Sequence, residues 1–289
     1  MLLDETGPRL GLPTLQAHCS GVSRSVLGYL LSGYRQKFQE DHRLVVETLS
    51  WLRDGAVWAI DHSQPPCAIE GTYTQILAIR DLGSGMQLAW TPVVDATADN
   101  ALALLKLLVA QHGAPLVLKN DNGSAFASRS FSDWIAEQRI VHLFSPVRMP
   151  RYNGACEAGI GGMKRRTEQL AARNDRVLDW TCDDLYAAMH WANDDHYPIG
   201  VAGGAAASRF AARVPLDDTE RASFQFTVDQ STEKFRGELC TQGHPLSDKL
   251  SAICHRRAVR HALVEHDYLS ITRRSIPQSI RSAKCARIT

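Results

Sequence analysis

The chain has 289 residues, 44% hydrophobic and 22% charged, with a formal net charge of +1. This is enough chain for one or two domains with a proper core, the composition is that of a globular protein, and the overall charge gives no hint of a nucleic-acid partner. No apolar run reaches the length of a membrane span and no signal peptide opens the chain, so a soluble cytoplasmic protein without a membrane partner is expected.

Residues 1–50 read as a small helical unit. Leu12–His18 and Ser25–Tyr34 are short amphipathic segments separated by Ser20-Gly21. Ala17, Gly21 and Leu27 stand where a helix-turn-helix places a small residue, a turn glycine and a core aliphatic, a pattern that a plain helical hairpin meets equally well. From Val57 the period changes. Val57–Ile60 reads as a strand ending at Asp61, His62–Gly71 as a loop, and Tyr73–Arg80 and Met86–Val93 as two strands joined by a tight turn at Gly83–Gly85. Ala98–Gln111 has Leu102, Leu105, Leu108 and Val109 at helical spacing and is stopped by Gly113 and Pro115. Leu116–Lys119 is a buried strand that delivers Asp121. Arg129–Gln138 is a helix with Phe131, Trp134 and Ile135 as its apolar face, and Ile140–Phe144 is a fifth strand. A loop with two prolines follows, ending at Asn153-Gly154, then a long helix with Glu157 in its first turn and a further helix over Asp183–Asn193.

Residues 208–289 form a basic extension. From Lys249 to Thr289 nine Lys or Arg face two acids, which suits either a solvated tail or a DNA-contacting arm. Leu246–Cys254 and Ala258–Glu265 have helical character, and Tyr268–Thr272 with Ser275–Ile280 is either a small hairpin or a frayed end. The seven cysteines are scattered singly, as in a reducing compartment. Cys240, His244, Cys254 and His255 have the wrong spacing for the usual zinc fingers, so no zinc is expected.

Two aspartates at strand ends, Asp61 and Asp121, and a glutamate opening a helix, Glu157, can converge at one end of a sheet. Three carboxylates at one point raise each other's pKa unless a cation sits between them, and hard divalent ions suit all-oxygen ligands. Lys164 shares the helix face of Glu157, seven residues on. Arg148, Arg151, Arg165 and Arg166 are candidates for phosphate contacts, although a basic helix face is commonly just solvated. Asn122 and Asn153 shape the loops that place the acids. His62, His142, Asp81, Asp95 and Asp99 read as structural.

The spacing carries a resemblance. Asp61, Asp121 and Glu157, with 35 residues between the last two, together with DNGSAF after the second aspartate and the phrase YNGACEAGIGGMKRR, resemble the D,D(35)E signature of retroviral integrases and insertion-sequence transposases. The resemblance spans about Val57 to Pro215. It implies an α/β, ribonuclease-H-like mixed sheet flanked by helices, and the order βββαβαβαα read from periodicity agrees with it. The expected organisation is a helical, possible helix-turn-helix unit at 1–50, a catalytic core at 51–207 and the basic extension at 208–289. The resemblance further implies a transposase or integrase that cuts and joins DNA ends with Mg²⁺, or Mn²⁺ as substitute. Asp61, Asp121 and Glu157 would be its ligands, Lys164 would touch DNA, and the chain would act as a homo-oligomer on nucleoid DNA. Two other readings remain open: a DNA-binding relative without catalysis, and a ribonuclease-H-like nuclease.

Overall fold

A computed structural model describes residues 10–42, 44–145, 154–198, 200–241 and 247–276, with Leu3, Gly7 and Pro8 ahead of them. The chain divides into two compact units, residues 1–49 with 271–289, and residues 50–270.

In the first unit α1 (Leu12–His18) carries a proline in its opening turn, where no backbone N–H is needed. Ser23 starts α2 (Arg24–Asp41) by accepting the Val26 N–H at 3.4 Å. Leu15, Leu27 and Leu31 form a small buried cluster, the last two one helical turn apart. Helix α2 runs seven residues beyond the expected Tyr34, to Asp41. The chain then forms β1 (Leu44–Trp51) where a wholly helical unit was expected. Thr48 is β-branched and favours the extended chain.

The second unit is built on a sheet. Strands β2 (Val57–Ser63), β3 (Gln75–Asp81) and β4 (Gln87–Val93) form an antiparallel meander. Helix α3 (Ala98–His112) leads to β5 (Val117–Asn120), and α4 (Arg129–Glu137) to β6 (Val141–Phe144). The order is β4-β3-β2-β5-β6, with β5 parallel to both β2 and β6. Helices α5 (Gly154–Arg173) and α6 (Cys182–Asp194) follow.

The sheet is buried on both faces, and the period-2 alternation of its strands sorts the side chains. Trp58, Ile60, Leu77, Ile79 and Leu118 pack with Leu105 and Leu108 of α3 and Phe131 and Ile135 of α4. On the other face Ile76, Ala78 and Trp90 pack with Met163 and Ala171 of α5 and Leu185, Ala188 and Ala192 of α6. Two pairings tie buried polar groups there to the sheet. Asn193 takes both backbone groups of Gln87, at 2.8 and 2.9 Å, and the Trp90 indole donates to Thr167. Thr181 and Asp184 form a capping box at the start of α6.

Beyond the short α7 (Ala206–Ala211), the chain departs from the expected short helices. It forms the long α8 (Asp218–Thr241) and α9 (Asp248–Glu265), packed against each other, and α9 also lies against the edge strand β6. The described part of the extension has a core: Phe224 and Val228 on α8, and Cys254, Ala258, Val259 and Ala262 on α9, are all buried, while residues 277–289 lie outside the described residues. Strand β7 (Leu269–Ile276) pairs with β1 rather than folding back as a hairpin, and Arg273 donates to Glu47 at 2.9 Å. Among the described residues no helix is long and apolar enough to cross a membrane.

Candidate active site

Parallel pairing of β2 with β5 sets Ala59 opposite Lys119. Asp61 and Asp121 lie two residues beyond that couple on their respective chains, so both fall at the carboxyl edge of the sheet. Asp61 is half-buried within β2, and Asp121 is exposed just past β5. A bond of 2.8 Å from the Gly123 N–H to the Asp121 Oδ1 closes a turn that fixes this side chain. Glu157 is exposed in the first turn of α5, where the helix dipole favours a negative charge.

The charged groups at this edge act on one another. Burial lifts the Asp61 carboxyl to about 7, and the charges of Asp121 and Glu157 add to that lift, while the His62 N–H and Lys119 oppose it. Both other acids therefore act on Asp61. The donor set is all oxygen and its net field is negative, which fits a hard divalent cation. Among the described residues, no three His, Cys, Asp or Glu side chains stand close enough together to hold an ion as they are.

Sequence reasoning missed two basic residues at this site. Lys119 is 2% exposed, and burial lowers its ammonium to about 8 although Cys156, Glu157 and Asp61 all favour its charge. The signal was present: a lysine one position from Leu118 in a buried strand must point to the opposite face, towards α5. Arg80 on β3 lies beneath the same helix, its pKa lowered by burial and by Arg166. A Cβ at Gly159 would come within 2.7 Å of its Nη1, so the glycine lets α5 settle on the guanidinium. Cys156, next to Glu157, is buried and its thiol is pushed up to about 12 by burial, with Asp61 adding. It is an inert packing group at neutral pH.

The remaining candidates divide. Asn122 donates to the Ser145 carbonyl at 2.6 Å, linking the loop after β5 to the end of β6. Lys164 is half-buried, which lowers its pKa, and Arg165 is exposed. Arg166 and Arg173 lie over the Trp191 ring, at 5.9 and 5.6 Å from its centre, which gives both a packing role. Arg148, Arg151 and Asn153 lie outside the described residues. His62 stacks on Phe126, and burial lowers its pKa. Asp81 caps the β3–β4 turn by accepting from Gly55 and from Ser84.

No protein-family model matches the chain, and no curated protein matches it in sequence. Solved structures do. An intasome of simian T-cell lymphotropic virus, in complex with the PP2A regulatory subunit B56 gamma, aligns over 74% of this chain and 75% of its own. The identity is 19% and the TM-score 0.51. The HTLV-2 integrase catalytic core domain in complex with magnesium aligns over 55% of this chain and 99% of its own, with 18% identity and a TM-score of 0.45. The catalytic core of BIV integrase aligns over 54% and 94%, with 16% identity and a TM-score of 0.44. At such identities the likeness is one of fold. The intasome match and the β4-β3-β2-β5-β6 sheet lead to one conclusion: this chain has the ribonuclease-H-like fold of the integrase catalytic core.

Proposed function

We propose that this chain is a polynucleotidyl transferase of the transposase and integrase class, which cuts and joins DNA ends. The observation that carries the reading is the equal offset of Asp61 and Asp121 from a paired couple on adjacent parallel strands, with Asp121 and Glu157 both acting on the Asp61 carboxyl. Asp61, Asp121 and Glu157 would hold Mg²⁺, or Mn²⁺ in its place. When bound, such ions stabilise charge on the scissile phosphodiester and on its attacking and leaving oxygens.

The residues of the chain do the rest. The half-buried Asp61 supplies the central carboxylate, and Asp121, with its turn closed by Gly123, supplies a second in fixed position. Lys119 offsets part of the negative charge below them, so that the folded chain tolerates three acids at one edge. Lys164 and Arg165 on α5 are the described side chains that reach for DNA phosphates; Arg166 is held over Trp191. In the reaction, a water or 3′-hydroxyl oxygen bonds to phosphorus as the bond to the leaving 3′ oxygen breaks, and that oxygen takes up a proton. Joining two ends requires two active sites together, so the working form is a homo-oligomer on DNA.

Nicking of supercoiled plasmid in Mn²⁺ tests this reading. Wild-type protein should nick, and Asp121→Asn and Glu157→Gln should lose at least 100-fold in rate, roughly the scale of losing a group that acts in the transition state. DNA binding without nicking by the wild type would make the chain a binding relative without catalysis. Equal nicking by all three proteins would remove the triad from the chemistry.

A further inference from the structure

The second carboxylate is tied to the last helix pair of the unit. His255 on α9 donates from Nε2 to the His142 carbonyl at 3.1 Å. His142, on edge strand β6, donates from its own Nε2 to Asn120 Oδ1 at 2.6 Å. Asn120 is fully buried, and its Nδ2 donates to the main-chain carbonyl of Asp121 at 2.6 Å. The Ser145 N–H meets the Asn120 carbonyl at 2.8 Å.

The atoms assign themselves along this chain. Asn120 receives at oxygen and donates at nitrogen, so His142 must carry its proton on Nε2. The ring has little freedom to do otherwise. It lies 4.1 Å from the Phe144 ring and 5.7 Å from that of Phe131, centre to centre. Asparagine is a poor strand residue, and its burial at the end of β5 is costly unless both ends of its amide are bonded. Here they are.

We propose that His142 and Asn120 are positioning residues for Asp121, through which helix α9 sets the place of the second carboxylate. The inference rests on the reading of Asp121 as a metal ligand. Gly123 holds the Asp121 side chain, and Asn120 holds its main chain one peptide away. A carboxylate on an exposed turn needs both restraints to present its oxygens in one direction. The two-helix clasp is thereby a working part of the site.

The test uses the full chain and Mn²⁺ alone as ligand, read by calorimetry and by the rise in Tm on adding the ion. Nicking is measured alongside. His142→Phe keeps the aromatic packing and deletes the donor, and His142→Gln restores an N–H. His142→Phe is expected to bind Mn²⁺ about tenfold more weakly, as for loss of an outer partner of a ligand. Its nicking should fall in step and recover as Mn²⁺ is raised, and His142→Gln should stand close to wild type. Should His142→Phe lose its fold, His255→Leu on α9 carries the same expectation at a smaller size. Mn²⁺ affinity equal to wild type in a folded His142→Phe or His255→Leu overturns the proposal. A wild type whose Mn²⁺ response matches that of Asp121→Asn overturns the metal reading itself, and the positioning role falls with it.

Discussion

His142 also links the site to stability. Burial, with the nearby His255 adding, lowers its pKa from 6.5 to about 4. The folded chain therefore holds it neutral where the unfolded chain would take up a proton. Stability from this group is fully present above pH 6.5 and is lost as pH falls through the window from 6.5 to about 4. At full effect the loss is on the order of 3 kcal/mol. Unfolding by denaturant at pH 7 and pH 4.5 should show a smaller acid loss in His142→Phe than in wild type; equal losses would mean that the ring is not buried in its neutral form. His142 stood out in the sequence only as one more histidine, because a hydrogen bond to Asn120 across strands leaves no local trace. Asp61, Asp121 and Glu157 stood out because the motif and its spacing mark them; the strand that carries Asp61 runs on to Ser63, two residues past its expected end. Lys119 was passed over because a single cation in an apolar run carries no motif, and only strand alternation marks its face.

At the scale of elements, α6 shows how few bonds fix a helix to the sheet. Its start is the Thr181–Asp184 capping box, with Arg176 donating to both carboxylate oxygens of Asp184 at 2.7–2.8 Å. Its end is the Asn193 clamp on Gln87, the first residue of β4. Thr181→Ala should cost about 1 kcal/mol, the usual value of a cap. Asn193→Leu should cost more, about 2–4 kcal/mol, because it strands two buried backbone groups of Gln87 at once. Chemical denaturation of both variants checks the ranking, and the reverse order would show that water replaces the clamp. The helices and strands of the sheet were readable from the sequence for the same reason that they are stable: each has one clear period. The α8–α9 pair was not. Phe226 on α8 is 62% exposed while Phe224 is buried, so the apolar stripe is blurred and only the partner helix selects a face. Strand β1 was missed because its pairing partner, β7, lies more than two hundred residues away.

For the whole molecule, the sheet order follows from connections that the sequence displays, three hairpin-linked strands and then two strands reached through helices. What the sequence leaves open is the register, and the register carries the candidate site. Asp61 and Asp121 converge because each stands the same number of residues past Ala59 and Lys119. The consequence is an unequal tolerance to changes of length. One alanine inserted between Leu118 and Lys119 turns every later side chain of β5 to the opposite face, so Lys119 enters the apolar layer under α3 and Asp121 points away from Asp61. Nicking should vanish and the midpoint of denaturation should fall. The same alanine inserted between Asp95 and Ala96, in the exposed connection from β4 to α3, should leave nicking in place, because loop length costs little. A relative of this chain is therefore free to grow at its connections, while the four residues of β5 keep their number.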